Sequence, residues 1–248
     1  MGLMMTSIHW KGENEFEIDG VNFVIDVTPG CDRRRSEINS FTLVKTKSYI
    51  EDYLALQGER FDHILELGIF QGGSLVFFDK LLKPSRIVGL DIARDPVKAL
   101  DHYIASEAPH MKTYYQSSQD DSALLKSIVE NDLDGQLDLV VDDASHLYEL
   151  TKASFMHLFP LLKPGGLYLI EDWAWAHRPN AQNRKHPWFK KPALTNLLFE
   201  LVVELGSHSG IEEITVNNNM VKIRKSTHAT GTSVLDSFLL RDRKLNLI

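Results

Sequence analysis

Cysteine is almost absent: Cys31 is the only one among 248 residues. A single thiol makes neither an intrachain disulfide nor a thiolate metal cage, so the default setting is reducing and cytoplasmic, and any bound metal needs other ligands. Long apolar runs are missing too. None approaches the ~20 residues of a membrane span, and Met1 to Trp10 carries no basic stretch ahead of an apolar core, so neither a membrane segment nor a leader is expected. Positive charge is in deficit, with 27 Lys and Arg against 34 Asp and Glu, a formal net charge of −7. That balance argues against a nucleic-acid binder, which tracks phosphates with clustered basic residues, and leaves small-molecule chemistry. No repeat or low-complexity tract interrupts the chain. With 43% hydrophobic and 25% charged residues, it has the make-up and length of one large α/β domain.

The stretch that organises the chain is Ile64-Leu65-Glu66-Leu67-Gly68-Ile69-Phe70-Gln71-Gly72-Gly73-Ser74, followed by apolar Leu75 to Phe78. A short apolar run that ends near an acid and passes through spaced glycines into a second apolar segment reads as strand, tight turn and helix. Such turns sit at the carboxyl end of a strand, where open α/β sheets bind ligands. A dinucleotide fingerprint needs its second glycine where this chain has Phe70, so a pyrophosphate would meet a side chain. The pattern Glu66-x-Gly68-x-x-x-Gly72-Gly73-Ser74 resembles the first motif of class I S-adenosylmethionine-dependent methyltransferases. That resemblance implies that Glu66, Gly68, Gly72 and Ser74 hold the methionine part of the cofactor.

Further strand ends repeat the arrangement. Arg86 to Leu90 runs into Asp91, 23 residues beyond Gly68, near the spacing of about 20 at which a carboxylate reaches ribose hydroxyls. Tyr114 and Tyr115 run into Gln116-Ser117-Ser118-Gln119-Asp120. Ser118 or Gln119 would by default cap the next helix, but the run resembles the adenine-binding position of catechol-type methyltransferases.

Two acidic pairs close the next strands. Leu137 to Val141 runs into Asp142-Asp143-Ala144-Ser145-His146, and Leu167 to Ile170 runs into Glu171-Asp172. The helix between them, bearing Leu147, Leu150, Phe155, Leu158, Phe159 and Leu162, stops at Lys163-Pro164-Gly165-Gly166, so the two strands are parallel and present their acids on one edge. Crowded carboxylates repel unless a cation neutralises them. Oxygen ligands suit magnesium, with manganese or calcium as competitors. Asp143, Glu171 and Asp172 are the expected ligands, and Asp142 faces the cofactor. His146, three residues after Asp143, is placed to take a substrate proton. A free imidazole titrates at ~6.5, far below a sugar hydroxyl, so base and metal must act together. Asp143 and His146 are the catalytic candidates.

The Asp142-to-His146 run, Pro164-Gly165-Gly166 and Glu171-Asp172 are similar to the magnesium-dependent sugar O-methyltransferases of macrolide biosynthesis, of mycinamicin and macrocin type, and to a related family known as cephalosporin hydroxylases. The likeness covers about Phe61 to Asp172, with Ala144 where a glycine is expected. It implies a Rossmann-like class I methyltransferase fold with a seven-stranded, mostly parallel sheet. It also implies a metal on Asp143 and the Glu171-Asp172 pair, and His146 as general base. Hydroxylation would need a redox metal, and an all-carboxylate set lacks the two histidines of an iron facial triad.

Around this centre, Phe16 to Ile25 alternates about Asp19-Gly20 as a hairpin, Pro29-Gly30 and Arg33-Arg34-Arg35 mark a turn, and Ser40 to Leu56 has helical spacing. Residues 1–40 are expected as a small N-terminal appendage and 41–248 as the cofactor-binding domain. Three tryptophans, Trp173, Trp175 and Trp188, lie in a long loop over 173–192, which reads as a lid offering flat faces to sugars or as an oligomer contact. A helix over Ala193 to Leu205 and an antiparallel hairpin, Glu212 to Val216 and Met220 to Arg224, follow; the tail from Lys225 is ambiguous. The whole reads as an S-adenosylmethionine- and metal-dependent O-methyltransferase of a small-molecule hydroxyl, assembled as a homo-oligomer. Its rivals are a nicotinamide oxidoreductase and a non-catalytic cofactor-binding protein.

Overall fold

The structure is a computed structural model that describes residues 6–28, 32–206 and 210–228. Pro29, Gly30, Cys31 and the tail beyond His228 lie outside these. The chain divides into two compact units, Met1–Ser117 and Ser118–Ile248.

In the first unit, β2 (Glu15–Ile18) and β3 (Val21–Ile25) form the expected hairpin. Asp19 and Gly20 turn it with φ of 46° and 82°, the left-handed pair that matches the twist of two-residue hairpins. β1 (His9–Trp10) adds antiparallel to β2. β4 (Ser40–Leu43) adds parallel to β3, pairing Asn22 with Ser40 and Ile25 with Leu43. This corrects the helix expected from Ser40 onward: only α1 (Lys47–Leu54) is helical, continued by a short 3₁₀ turn at Ala55–Gly58. Phe41, Thr42 and Val44 are aromatic or β-branched, and the open edge of β3 decided the run that short-range periodicity left ambiguous.

The same unit holds β5 (His63–Leu67), β6 (Arg86–Leu90) and β7 (Met111–Tyr114), parallel neighbours with Leu67 opposite Leu90 and Leu90 opposite Tyr114. Their carboxyl ends therefore share one rim. α2 (Gly73–Leu82) follows β5 and α3 (Lys98–Ser106) precedes β7. Leu75, Val76, Phe77 and Phe78 of α2 are fully buried, because the N-terminal strands cover this helix. Phe77 meets Phe16 and Phe23 nearly edge-on at 6.0 and 5.8 Å, and Phe78 meets Tyr53 at 4.8 Å. At the start of α2 the backbone of β4 comes so close that a Cβ on Gly73 would stand 2.1 Å from the carbonyl oxygen of Thr42. Only glycine fits there.

The second unit begins with α4 (Ser122–Asn131). Its cap is Asp121, whose carboxylate accepts the Leu124 amide at 3.0 Å, not Ser118 or Gln119, which lie one turn too early. β8 (Leu139–Asp142), α5 (Tyr148–Leu158) and β9 (Leu167–Glu171) make a parallel crossover, with Asp142 opposite Ile170. After α6 (Thr195–Gly206), β10 (Ile211–Val216) and β11 (Met220–Lys225) close as the expected hairpin, β11 antiparallel to β9. Apart from the N-terminal sheet, the two units supply seven strands, mostly parallel, with the C-terminal pair antiparallel, as the sequence predicts. Among the described residues no helix is long and apolar enough to cross a membrane.

Truncating Phe77 to alanine removes the ring on which the N-terminal strands rest and should cost about 3–5 kcal/mol. Denaturant unfolding of Phe77→Ala measures it; a loss below about 1 kcal/mol would mean that these strands do not cover α2.

Candidate active site

The glycine turn of the first unit is held by a carboxylate. Asp91 Oδ2 accepts the backbone amides of Ile69 and Phe70, both at 2.8 Å, and Oδ1 accepts that of Ala93 at 2.7 Å. Asp91, expected at the ribose, thus shapes the turn. Phe70 has φ of 47° and Gly72 of 75°, and a Cβ on Gly72 would lie 2.9 Å from Leu100. Phe70 is 50% exposed, with the Arg33 guanidinium 5.2 Å from the centre of its ring, while Gln71 accepts the Ser36 amide at 3.1 Å. Arg33 of the basic run therefore lies over the turn. Glu66 is fully buried on β5 opposite Gly89, and Ser74 is buried in the first turn of α2.

In the second unit, Asp142 is the hub. It is 1% exposed and accepts from Gln119 Nε2 at 3.2 Å, Ser154 Oγ at 2.9 Å and the Tyr168 hydroxyl at 2.9 Å. Burial pushes its carboxyl up from 3.8 to about 6, opposed by the Ser154 and Tyr168 hydroxyls, by His146 and by the Ala144 amide. Gln119 uses both ends of its amide, since Oε1 also accepts the Ser145 amide at 3.0 Å. It braces the end of β8 against the segment that carries His146. Ser118 donates to Asp120. Ser154 and Tyr168 were missed by the sequence reading; a tyrosine inside an apolar strand, which must find a partner for its hydroxyl, was the available signal.

Beyond Asp142 three donor groups converge. One atom each of Asp143, His146 and Asp172 lie within 4.8 Å of one another, and His146 Nε2 stands 3.9 Å from Asp143 Oδ1. Donors on opposite sides of an ion bound at about 2.0–2.6 Å lie about 4–5 Å apart, so the cluster fits one divalent cation. All three side chains are partly exposed, which leaves room for an acceptor and for water ligands. Glu171, 2% exposed at the end of β9 and opposite Met220, is not in that convergent set. His146 and Asp172 both have positive φ, 55° and 49°, a backbone region uncommon outside glycine. The carbonyl of His146 accepts the Trp175 indole N–H at 2.7 Å. Arg178, another residue the sequence reading did not single out, donates from Nη2 to Asp172 Oδ1 at 2.7 Å.

The tryptophan loop is partly self-packed. Trp175 is buried, forms a short 3₁₀ turn with Ala176 and His177, and meets Trp188 edge-on at 5.1 Å and His186 in stacked fashion at 6.2 Å. Trp173 donates its indole N–H to the Asn217 carbonyl at 2.9 Å.

Residues 65–173, which contain the glycine turn and both acidic strand ends, match a family model described as a methyltransferase domain. Over 158 residues the chain is 33% identical to demethylmacrocin O-methyltransferase of Streptomyces fradiae, covering 60% of this chain and 37% of that one. Over 131 residues it is 33% identical to mycinamicin VI 2''-O-methyltransferase of Micromonospora griseorubida, covering 50% and 30%. The solved structure of the MycE methyltransferase in complex with Mg, SAH and mycinamycin VI is similar with a TM-score of 0.54 and 26% identity, over 75% of this chain and 50% of that one. The chain thus has the α/β fold of its structural neighbours, the one its motifs imply. It spans about a third of the length of these curated relatives and half of the solved one.

A carboxyl whose folded pKa lies above its unfolded one binds more protons folded than unfolded, so Asp142 stabilises the fold most below pH 3.8 and loses that contribution as pH rises to about 6. Asp142→Asn should therefore flatten the fall in stability between about pH 4 and pH 6. Urea melts of the metal-free protein across that range check this; an unchanged slope would show that Asp142 does not titrate there.

Proposed function

We propose that this chain is an S-adenosylmethionine-dependent O-methyltransferase that uses a divalent cation, magnesium first, to methylate a hydroxyl of a small molecule, a sugar of a glycosylated natural product. The observation that carries the reading is the convergence of Asp143, His146 and Asp172 at the two strand ends where the sequence expects a metal centre, inside the stretch that matches a methyltransferase domain. The relatives named for mycinamicin VI and demethylmacrocin support a natural product as acceptor, those named for rhamnosyl tetracenomycin-C and L-olivosyl-oleandolide support a sugar on it, and the MycE complex with Mg and SAH supports the pair of cofactors. Phe70, exposed in the turn, speaks against a nicotinamide dinucleotide.

S-adenosylmethionine supplies a methyl already activated on a sulfonium, and the cation supplies positive charge for the acceptor oxygen. Asp143 and Asp172 would hold the cation, while Glu171, the third ligand expected from the sequence, stays outside the convergent set. His146 accepts the proton of the hydroxyl. Glu66, Gly68, Gly72, Ser74 and Asp91 are proposed to hold the amino-acid and ribose parts of the cofactor, and Ser118, Gln119 and Asp142 its adenine side. Orientation does most of the work, since the transfer needs only an acceptor oxygen held in line behind the methyl carbon and freed of its proton.

Methyl transfer from labelled S-adenosylmethionine to a panel of glycosides, with and without chelator, tests the proposal. Activity should vanish with chelator and return with magnesium. His146→Ala should lower kcat by about 10²–10⁴-fold while S-adenosylhomocysteine still binds. Absence of S-adenosylhomocysteine binding to the unaltered protein, or turnover indifferent to chelator, would sink it.

A further inference from the structure

The candidate centre is already touched by a cation of the protein's own. Arg178 lies six residues past Asp172 and its Nη2 donates to Asp172 Oδ1 at 2.7 Å, with 51% of the arginine side chain exposed. The turn that carries it is tied to the same cluster. The Trp175 amide donates to the Asp172 carbonyl at 3.1 Å, the Arg178 amide to the Trp175 carbonyl at 3.2 Å, and the Trp175 indole N–H to the His146 carbonyl at 2.7 Å. The guanidinium is thereby presented to a carboxylate that the metal reading assigns to the ion. A charged donor and a divalent cation draw on the same oxygen lone pairs and repel each other across a few ångströms.

We propose that Arg178 is a built-in competitor for the divalent cation at Asp172. It neutralises the carboxylate when the ion is absent and weakens the ion's binding. The ion and the Arg178 contact are linked: each lowers the equilibrium constant of the other at Asp172 by the same factor. Metal loading accordingly shifts the turn from Trp173 to Arg178, which borders the centre. This inference rests on the metal reading above.

Mn²⁺ serves as the probe, its free concentration followed by electron paramagnetic resonance during titration of the whole chain. Four proteins are compared: unaltered, Arg178→Gln, Arg178→Lys and Asp143→Asn. Arg178→Gln should bind Mn²⁺ about tenfold more tightly, the size of an ordinary coupling between two sites. Arg178→Lys should fall between, because an ammonium keeps the charge without the planar fork, and Asp143→Asn should bind weakly or not at all. Should Arg178→Gln bind no more tightly than the unaltered protein while Asp143→Asn loses binding, the competitor role is overturned and the metal site stands. If neither the unaltered protein nor Arg178→Gln takes up Mn²⁺, the metal reading itself falls. Binding by Arg178→Gln alone would support the competition.

Discussion

The parallel pairing of β8 with β9 is the constraint on which the candidate chemistry depends. Because Asp142 stands opposite Ile170, the two strands run out on one rim, and the residues just beyond them, Asp143 and Asp172, are delivered to the same place. Two carboxylates so close resist being charged together unless something positive joins them. The described structure answers with Arg178 on Asp172, and the proposed enzyme with a divalent ion. The cluster is held open to solvent while its support, the Asp142 network, is buried, so the groups meant for chemistry remain reachable.

The backbone around the rims is under local strain. Phe70, Gln116, His146 and Asp172 all sit at positive φ without being glycine, each at a cost of order 1–3 kcal/mol. Every one of them lies just past a strand or opens a turn that carries a candidate ligand. The strain is offset by specific bonds: Asp91 on the amides of the glycine turn, the Trp175 indole on the His146 carbonyl, and Asn219 on the Asp172 amide. Such positions persist only where the surroundings over-determine them, and they aim side chains that a relaxed backbone would point elsewhere.

Packing connects the N-terminal strands to this machinery. Phe16 and Phe23 cover α2 through Phe77, and the Thr42 carbonyl crowds Gly73 at the first turn of that helix. The hairpin expected as an appendage thus supports the helix that begins at the glycine turn. Its covering role rests on contacts between residues some sixty positions apart, out of reach of any local pattern.

What the sequence by itself determined is the order of elements and the position of each polar strand end. Apolar runs, the Asp19-Gly20 turn, the glycine spacing and the Pro164-Gly165-Gly166 stop are short-range signals, and short-range physics answers them. Tertiary structure decided the rest. It made Ser40–Leu43 a strand because β3 offered an open edge, buried Asp142 among Gln119, Ser154 and Tyr168, and brought His146 rather than Glu171 beside Asp143 and Asp172. It also set Arg178 on Asp172. Those outcomes turn on single backbone angles and on partners distant in the chain, and neither is encoded in the residue types of the motif itself.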